Sequence, residues 1–217
     1  MTVSATHITA TGLPETRRAV LDYLKLQGEA RAEAIAEAAE ITCSGARQHL
    51  VALERDGLVV HREVREGPGR PKHLYRLSTA GDDLFPRNYA GLTNELLHYL
   101  EGEDPNMLTR IFDRRGQRRL AQAQQRLAGK SLSDQVRAIA GFLDDEGYLA
   151  EFGELENGTF LITEHNCAVL SVATQFRHAC NTELAFLQAA LPDAEVERVA
   201  HQVVTGHVCA YQVSPRA

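Results

Sequence analysis

Cys167, Cys180 and Cys209 put three sulfur ligands in the last quarter of a 217-residue chain, and only Cys43 lies elsewhere. Thiolates bind soft metals and iron–sulfur clusters or exchange disulfides, whereas protonated thiols fill small gaps in a core. Twelve residues separate Cys167 from Cys180, and the chain has no CxxC pair. Spacing alone therefore leaves open a shared metal or cluster site, a structural zinc shell of three Cys and one His, a thiol redox switch, or three unrelated buried cysteines. Cys43 opens a predicted helix far from the others and reads as a small residue beside a cap.

Composition narrows the class. With 44% apolar residues the chain has enough to bury a core in each of two modest domains. The amino terminus has no basic stretch followed by an apolar one, and nowhere do eighteen apolar residues run together. A cytoplasmic protein with reduced thiols and no membrane partner is expected. G-x-S-x-G, H-E-x-x-H and phosphate-loop motifs are absent, so the chain does not read as an enzyme.

The net charge of -6 hides an uneven distribution. Residues 42–77 carry seven Lys/Arg against four Asp/Glu, and residues 105–130 carry seven against one. The acids gather elsewhere, notably at Asp144, Asp145, Glu146, Glu151, Glu154 and Glu156. Two stretches can therefore meet phosphate while the remainder repels it.

Periodicity and punctuation predict an α+β chain. After a flexible tail over residues 1–12, Pro14 opens a helix that Gly28 ends, a second helix spans 30–39, and Thr42 caps a third running to Asp56. Strands over 58–64 and 73–77 flank a Gly/Pro-rich loop. Helix, helix, helix, hairpin is a winged helix-turn-helix, placed at 13–78. A helical linker and dimerisation region is expected over 79–146, and a small mixed α+β sensor domain over 147–217. In the latter, strands over 195–204 and 207–213 turn at Thr205-Gly206, with Cys167 and Cys180 each just ahead of a predicted helix, where the positive end of the helix dipole favours thiolates.

The third helix of a winged helix enters the major groove. Ala46, Leu50 and Leu53 form its inward stripe, which leaves Ser44, Arg47, Gln48 and Val51 facing out. Arg47 matches guanine and Gln48 adenine. In the wing, Arg65, Arg70 and Lys72 suit phosphate or the minor groove of double-stranded DNA. The arginines of 106–127 (Arg110, Arg114, Arg115, Arg118, Arg119, Arg126) suit either flanking phosphates or pairing with the acids of 144–156.

The run 46–59, Gly69-Arg70-Pro71, Tyr75-Arg76-Leu77, Phe85-Pro86-x-x-Tyr89, and the segments around Cys167, Cys180 and Cys209 together resemble the SufR-type regulators over nearly the whole chain. The resemblance implies a homodimeric repressor of iron–sulfur cluster assembly genes that binds a two-fold operator. It also implies an iron–sulfur cluster, preferentially [4Fe–4S] with [2Fe–2S] as the alternative, held by Cys167, Cys180 and Cys209. The family pattern has four cysteines, and by spacing Ala194 stands where another would fall. A fourth ligand is then sought among His207, His165 and Glu164; on the expected hairpin His207 shares the face of Cys209, and His201 points to the other face unless the register shifts. A zinc- or thiol-redox-responsive winged-helix regulator is the alternative.

Overall fold

The computed structural model of the chain describes residues 12–65, 71–204 and 206–216. The expected tail, but for Gly12, and the wing tip with Arg70 lie outside the described residues. The chain is mixed α and β and divides into two compact units, Met1–Arg87 and Asn88–Ala217. Among the described residues no helix is long and apolar enough to cross a membrane.

In the first unit, α1 (Glu15–Gln27) ends at Gly28, whose φ of 75° suits a residue without Cβ. There follow β1 (Glu29–Ala30), α2 (Ala32–Ala38) and α3 (Cys43–Arg55). The Thr42 hydroxyl accepts from Gly45 N at 3.1 Å and so starts α3 as its side-chain type predicts. The hairpin of β2 (Val59–Val64) and β3 (Lys72–Leu77) leads into α4 (Thr79–Asp82). Val20, Leu21, Leu24, Ile35, Leu50 and Leu53 are fully buried at the centre, with Leu50 and Leu53 from the predicted stripe of α3. The arrangement is a winged helix-turn-helix.

One element departs from the sequence expectation. Glu29 and Ala30 were expected to border or enter the second helix, yet they pair with Arg76 and Tyr75 of β3, giving an antiparallel sheet of order β1-β3-β2. Glu29 also accepts two hydrogen bonds from Arg62 of β2, at 3.0 and 2.7 Å, across that sheet. Two residues carry no periodicity, so only the partner strand reveals them.

The second unit contains α5 (Tyr89–Glu103), α6 (Pro105–Leu127), α7 (Leu132–Asp145), β4 (Ala150–Glu154), β5 (Phe160–Glu164), α8 (Leu170–Ala173), α9 (His178–Ala190), β6 (Ala194–Ala200) and β7 (Cys209–Pro215). Its strands form an antiparallel sheet of order β4-β5-β7-β6. Ala123, Leu127, Val136, Ile139 and Leu143 of α6 and α7 share one core with Phe160, Ile162, Val196, Tyr211 and Val213 of the sheet and Phe186 and Leu187 of α9. The region read as a helical linker over 79–146 is thus continuous with the sheet beyond residue 88. The stripes of α6 and α7 must be buried, and the apolar face of the sheet is what buries them.

A second, smaller core joins α5, α6, α8 and α9 through Leu97, Leu108, Phe112, Ala173, Phe176 and Ala179. Asn94 of α5 donates to the Ser171 carbonyl at 3.0 Å, and His98 contacts Gln175 at 3.0 Å. The segment between Cys167 and Cys180 is therefore held against α5.

Of the arginine-rich helix, Arg119 is the member turned inward, with its side chain 4% exposed. It donates to both oxygens of Glu183 on α9, at 2.8 and 3.1 Å, and to Glu146 after α7, with the Phe186 ring 4.5 Å from its guanidinium carbon. Arg126 pairs with Asp145 at 2.6 Å on the surface. Both contacts follow the pairing with acids of 144–156, while Arg110, Arg114 and Arg118 stay exposed. Removing one member of a buried pair strands the other, so Arg119→Ala is expected to lower unfolding stability by about 3–5 kcal/mol, whereas Arg126→Ala changes it by less than about 1 kcal/mol. Chemical denaturation checks this; equal midpoints for the two variants would remove Arg119 as the anchor of α9.

Candidate functional site

Two surfaces carry chemistry, one in each unit. On α3, Ala46, Leu50 and Leu53 are fully buried, and Ser44, Arg47, Gln48 and Val51 are exposed. A 3.6-residue period with a three-residue apolar stripe forces this division. Arg47 is 61% exposed and donates to Glu33 of α2 at 2.7 Å, so its guanidinium is held at the surface by a partner that a phosphate or base edge can replace. Arg65 and Lys72 are exposed at either side of the wing.

In the second unit the three distant cysteines line one pocket, with Glu164, Glu183, Arg198, His201, Tyr148 and Tyr211. Cys209 begins β7, Cys180 lies in the first turn of α9, and Cys167 sits on the loop after β5. That loop is laced to the turn after α7. Asn166 donates from its side chain to the Gly147 carbonyl at 2.7 Å and from its backbone to the Tyr148 carbonyl at 3.0 Å, and His165 N donates to the Leu149 carbonyl at 3.2 Å. The pocket lies where the two cores meet, since Cys209 belongs to the larger and Cys167 and Cys180 pack on the smaller.

The helix-facing side of the sheet explains what else is there. Cross-strand partners run Phe160 with Val213, Ile162 with Tyr211, then Glu164 with Cys209. The first two rungs are core; the third is polar and faces the pocket. Glu164 is only 3% exposed, and its Oε1 has no hydrogen-bond partner. Burial, then the nearby charge of Glu183, pushes its carboxyl up to about 8. Arg198 of β6 lies over the Tyr211 ring at 5.4 Å and donates to the Cys180 carbonyl.

Burial pushes Cys167 up to about 11 and also raises Cys180 and Cys209. The expected helix starts differ in detail: Cys167 precedes a helix of only four residues, and Cys180 lies in the first turn of α9 rather than before it. Arg177 and Arg198 oppose the rise at Cys180, and so offer positive charge to an anionic group in the pocket.

The proposed fourth ligands separate sharply. His165 is exposed and faces Glu151 at 3.2 Å, and His207 is exposed before β7; neither lines the pocket. Glu164 does. His201, set aside on register grounds, also lines it, because β6 is irregular between Arg198 and Ala200. Arg198 pairs with Tyr211 but Ala200 pairs with Ala210, and the extra residue reverses the alternation beyond it. His201 Nε2 is buried without a partner, and burial followed by Arg198 lowers its pKa, keeping the ring neutral. Ala194 is paired with Pro215 at the opposite end of β6, buried in the larger core, so a side chain there cannot reach the pocket. Arg198 was legible from sequence as the third inward position after Ala194 and Val196; the bulge that turns His201 inward left no signal.

The free space between these side chains is about 20 Å³, room for one water. Among the described residues no three His, Cys, Asp or Glu converge on a single metal ion. Three thiols are nevertheless the donor type that iron–sulfur ligation uses, an imidazole is a known substitute for one of them, and Glu164 Oε1 and His201 Nε2 are buried beside them without partners. A cluster would need more room than this, gained by displacing side chains that line the pocket.

No known protein family matches the chain, and no curated protein matches it. Similar solved structures include a MarR-like transcriptional regulator from Thermotoga maritima, 22% identical over 50% of this chain and 80% of that one, with a TM-score of 0.32. Bordetella bronchiseptica BpsR, whose DNA binding is regulated by 6-hydroxynicotinic acid, is 18% identical over 64% and 78%, with a TM-score of 0.29. Bacillus subtilis PadR in complex with operator DNA is 15% identical over 62% and 93%, with a TM-score of 0.31. Likenesses this distant carry no weight for the function of the chain.

A buried carboxyl oxygen without a partner costs free energy that an apolar side chain would not. Glu164→Leu is therefore expected to stabilise the metal-free protein by about 1–3 kcal/mol. A denaturation midpoint at or below that of the parent would mean that Glu164 serves the fold.

Proposed function

We propose that the chain is a cytoplasmic, homodimeric transcriptional repressor of iron–sulfur cluster assembly genes, in which α3 and the wing contact a two-fold DNA operator and the second unit senses cluster status. The observation that carries this is the gathering of Cys167, Cys180 and Cys209, remote in sequence, around one pocket of a chain that also holds a winged helix-turn-helix. A bound cluster supplies iron centres whose occupancy follows iron and redox conditions.

The chain's own residues supply the coupling. Cys167 and Cys180 bracket the α8 segment, which Asn94 and His98 tie to α5. With both cysteines engaged, that segment is held at each end and α5 with it; with both free, the tie loosens. On its other side α5 exposes Tyr89, Leu92, Leu96 and Tyr99, by 64, 53, 52 and 63%. Their spacing of three, four and three is that of a two-helix seam, which a second copy of the same helix complements by symmetry. A dimer built there brings two copies of the recognition helix to one operator, whose half-sites lie about 34 Å apart on DNA. Ser44, Arg47 and Gln48 are assigned to base edges and nearby phosphates, and Arg65, Arg70 and Lys72 to the backbone.

Purification without oxygen tests the reading. Brown protein with iron and acid-labile sulfide is expected, and Cys180→Ser is expected to lose both the colour and tight operator binding while keeping its circular dichroism. Zinc without iron, or unchanged operator affinity in that variant, would overturn it. For the dimer, Leu92→Glu with Leu96→Glu is expected to sediment as a monomer at concentrations where the parent is a dimer; a persisting dimer would move the seam off α5.

A further inference from the structure

We propose that Glu164 supplies a carboxylate as the fourth protein ligand of the centre that Cys167, Cys180 and Cys209 hold. The inference rests on the cluster reading and specifies its site. Glu164 stands directly across from Cys209 in the β5–β7 register, on the same helix-facing side of the sheet. Two ligands on adjacent strands are held by the sheet itself, the most rigid support the unit offers. The rungs below are apolar, and Leu or Val would continue them without cost. Instead the position carries a carboxyl, 3% exposed, whose Oε1 meets no donor. Glu183, buried nearly as deeply in the same pocket, has both oxygens taken by Arg119. One buried acid is thus satisfied by the protein and the other is left for a ligand.

Charge and donor type agree. Arg198 reaches into the pocket beside Cys180 and offsets the negative charge that a carboxylate adds to three thiolates. The competing donor is His201. It lies beyond the end of β6 and is partly exposed, whereas Glu164 is held within β5 opposite Cys209. A carboxylate is a harder donor than a thiolate and less suited to iron in a sulfide-bridged centre. The site therefore has one weak corner, placed on the sheet, and it opens there first.

The experiment reconstitutes the full chain with ferrous iron and sulfide under anaerobic conditions and compares the parent with Glu164→Gln, Glu164→Cys and His201→Ala. Iron and sulfide retained after gel filtration, the visible spectrum, the electron paramagnetic resonance spectrum after reduction with dithionite, and the lifetime of the colour in air are recorded. Glu164→Gln is expected to hold iron about tenfold or more weakly and to change the resonance spectrum, while His201→Ala stays close to the parent. Glu164→Cys is expected to keep the full iron content and to outlast the parent in air. Because it restores a ligand at the same position, it also guards against a loss that reflects misfolding alone. Parent-like retention, spectrum and lifetime in Glu164→Gln would overturn the assignment, and loss in His201→Ala instead would give the place to His201. A parent chain that takes up no iron and sulfide would fell the underlying cluster reading, a separate and recognisable failure.

Discussion

The second unit depends on taking one guanidinium out of water. Arg119 is worth burying only because Glu183 and Glu146 meet it and aromatic rings enclose it. That requirement fixes α6 against α9 and against the turn after α7 at once. Cys180 is one turn before Glu183 on α9, and Tyr148 is two residues after Glu146, so the same interaction sets two walls of the cysteine pocket. A hydrophobic contact of similar area would tolerate sliding; a bidentate ion pair in a dry site does not.

The pocket is what remains where the core ends. Two rungs of apolar cross-strand pairs give way to Glu164 and Cys209, and around them gather polar atoms with no partner of their own: Glu164 Oε1, Arg198 Nε and His201 Nε2. Such a concentration is costly to the fold, and proteins retain it where a ligand recovers the cost. The raised thiols follow from the same burial. A thiol that is hard to ionise in isolation is a poor nucleophile, so burial here suppresses reaction with thiol-directed partners.

Much of the framework was legible because it rests on local rules. Thr42, Ser78 and Ser131 each cap the helix that their side chains predict, and the α3 stripe of Ala46, Leu50 and Leu53 lies wholly inside. Other features were not. The β1 strand is too short for any period, and α8 is four residues where a longer helix was expected. The supposed linker over 79–146 has a strong helical pattern that says nothing about which surface it covers, and it covers the sheet. For the site, the three cysteines and Glu164 could be named from residue type and spacing, whereas His207 was named on a hairpin geometry that the chain does not adopt and His165 on its nearness to Cys167 in sequence, and neither lines the pocket.

The amino-acid sequence by itself determined the main helices, their caps, the exposed face of α3 and which residues carry sulfur, since each follows from neighbours within a few turns or from side-chain chemistry. Tertiary structure alone decided that the sulfurs converge, that Arg119 rather than its five neighbours in α6 is buried, that a bulge after Arg198 turns His201 inward, and that Ala194 lies a strand's length from the pocket. Those outcomes depend on register and on pairing between segments tens of residues apart. A single extra residue in a strand exchanges its two faces, and no local pattern encodes it.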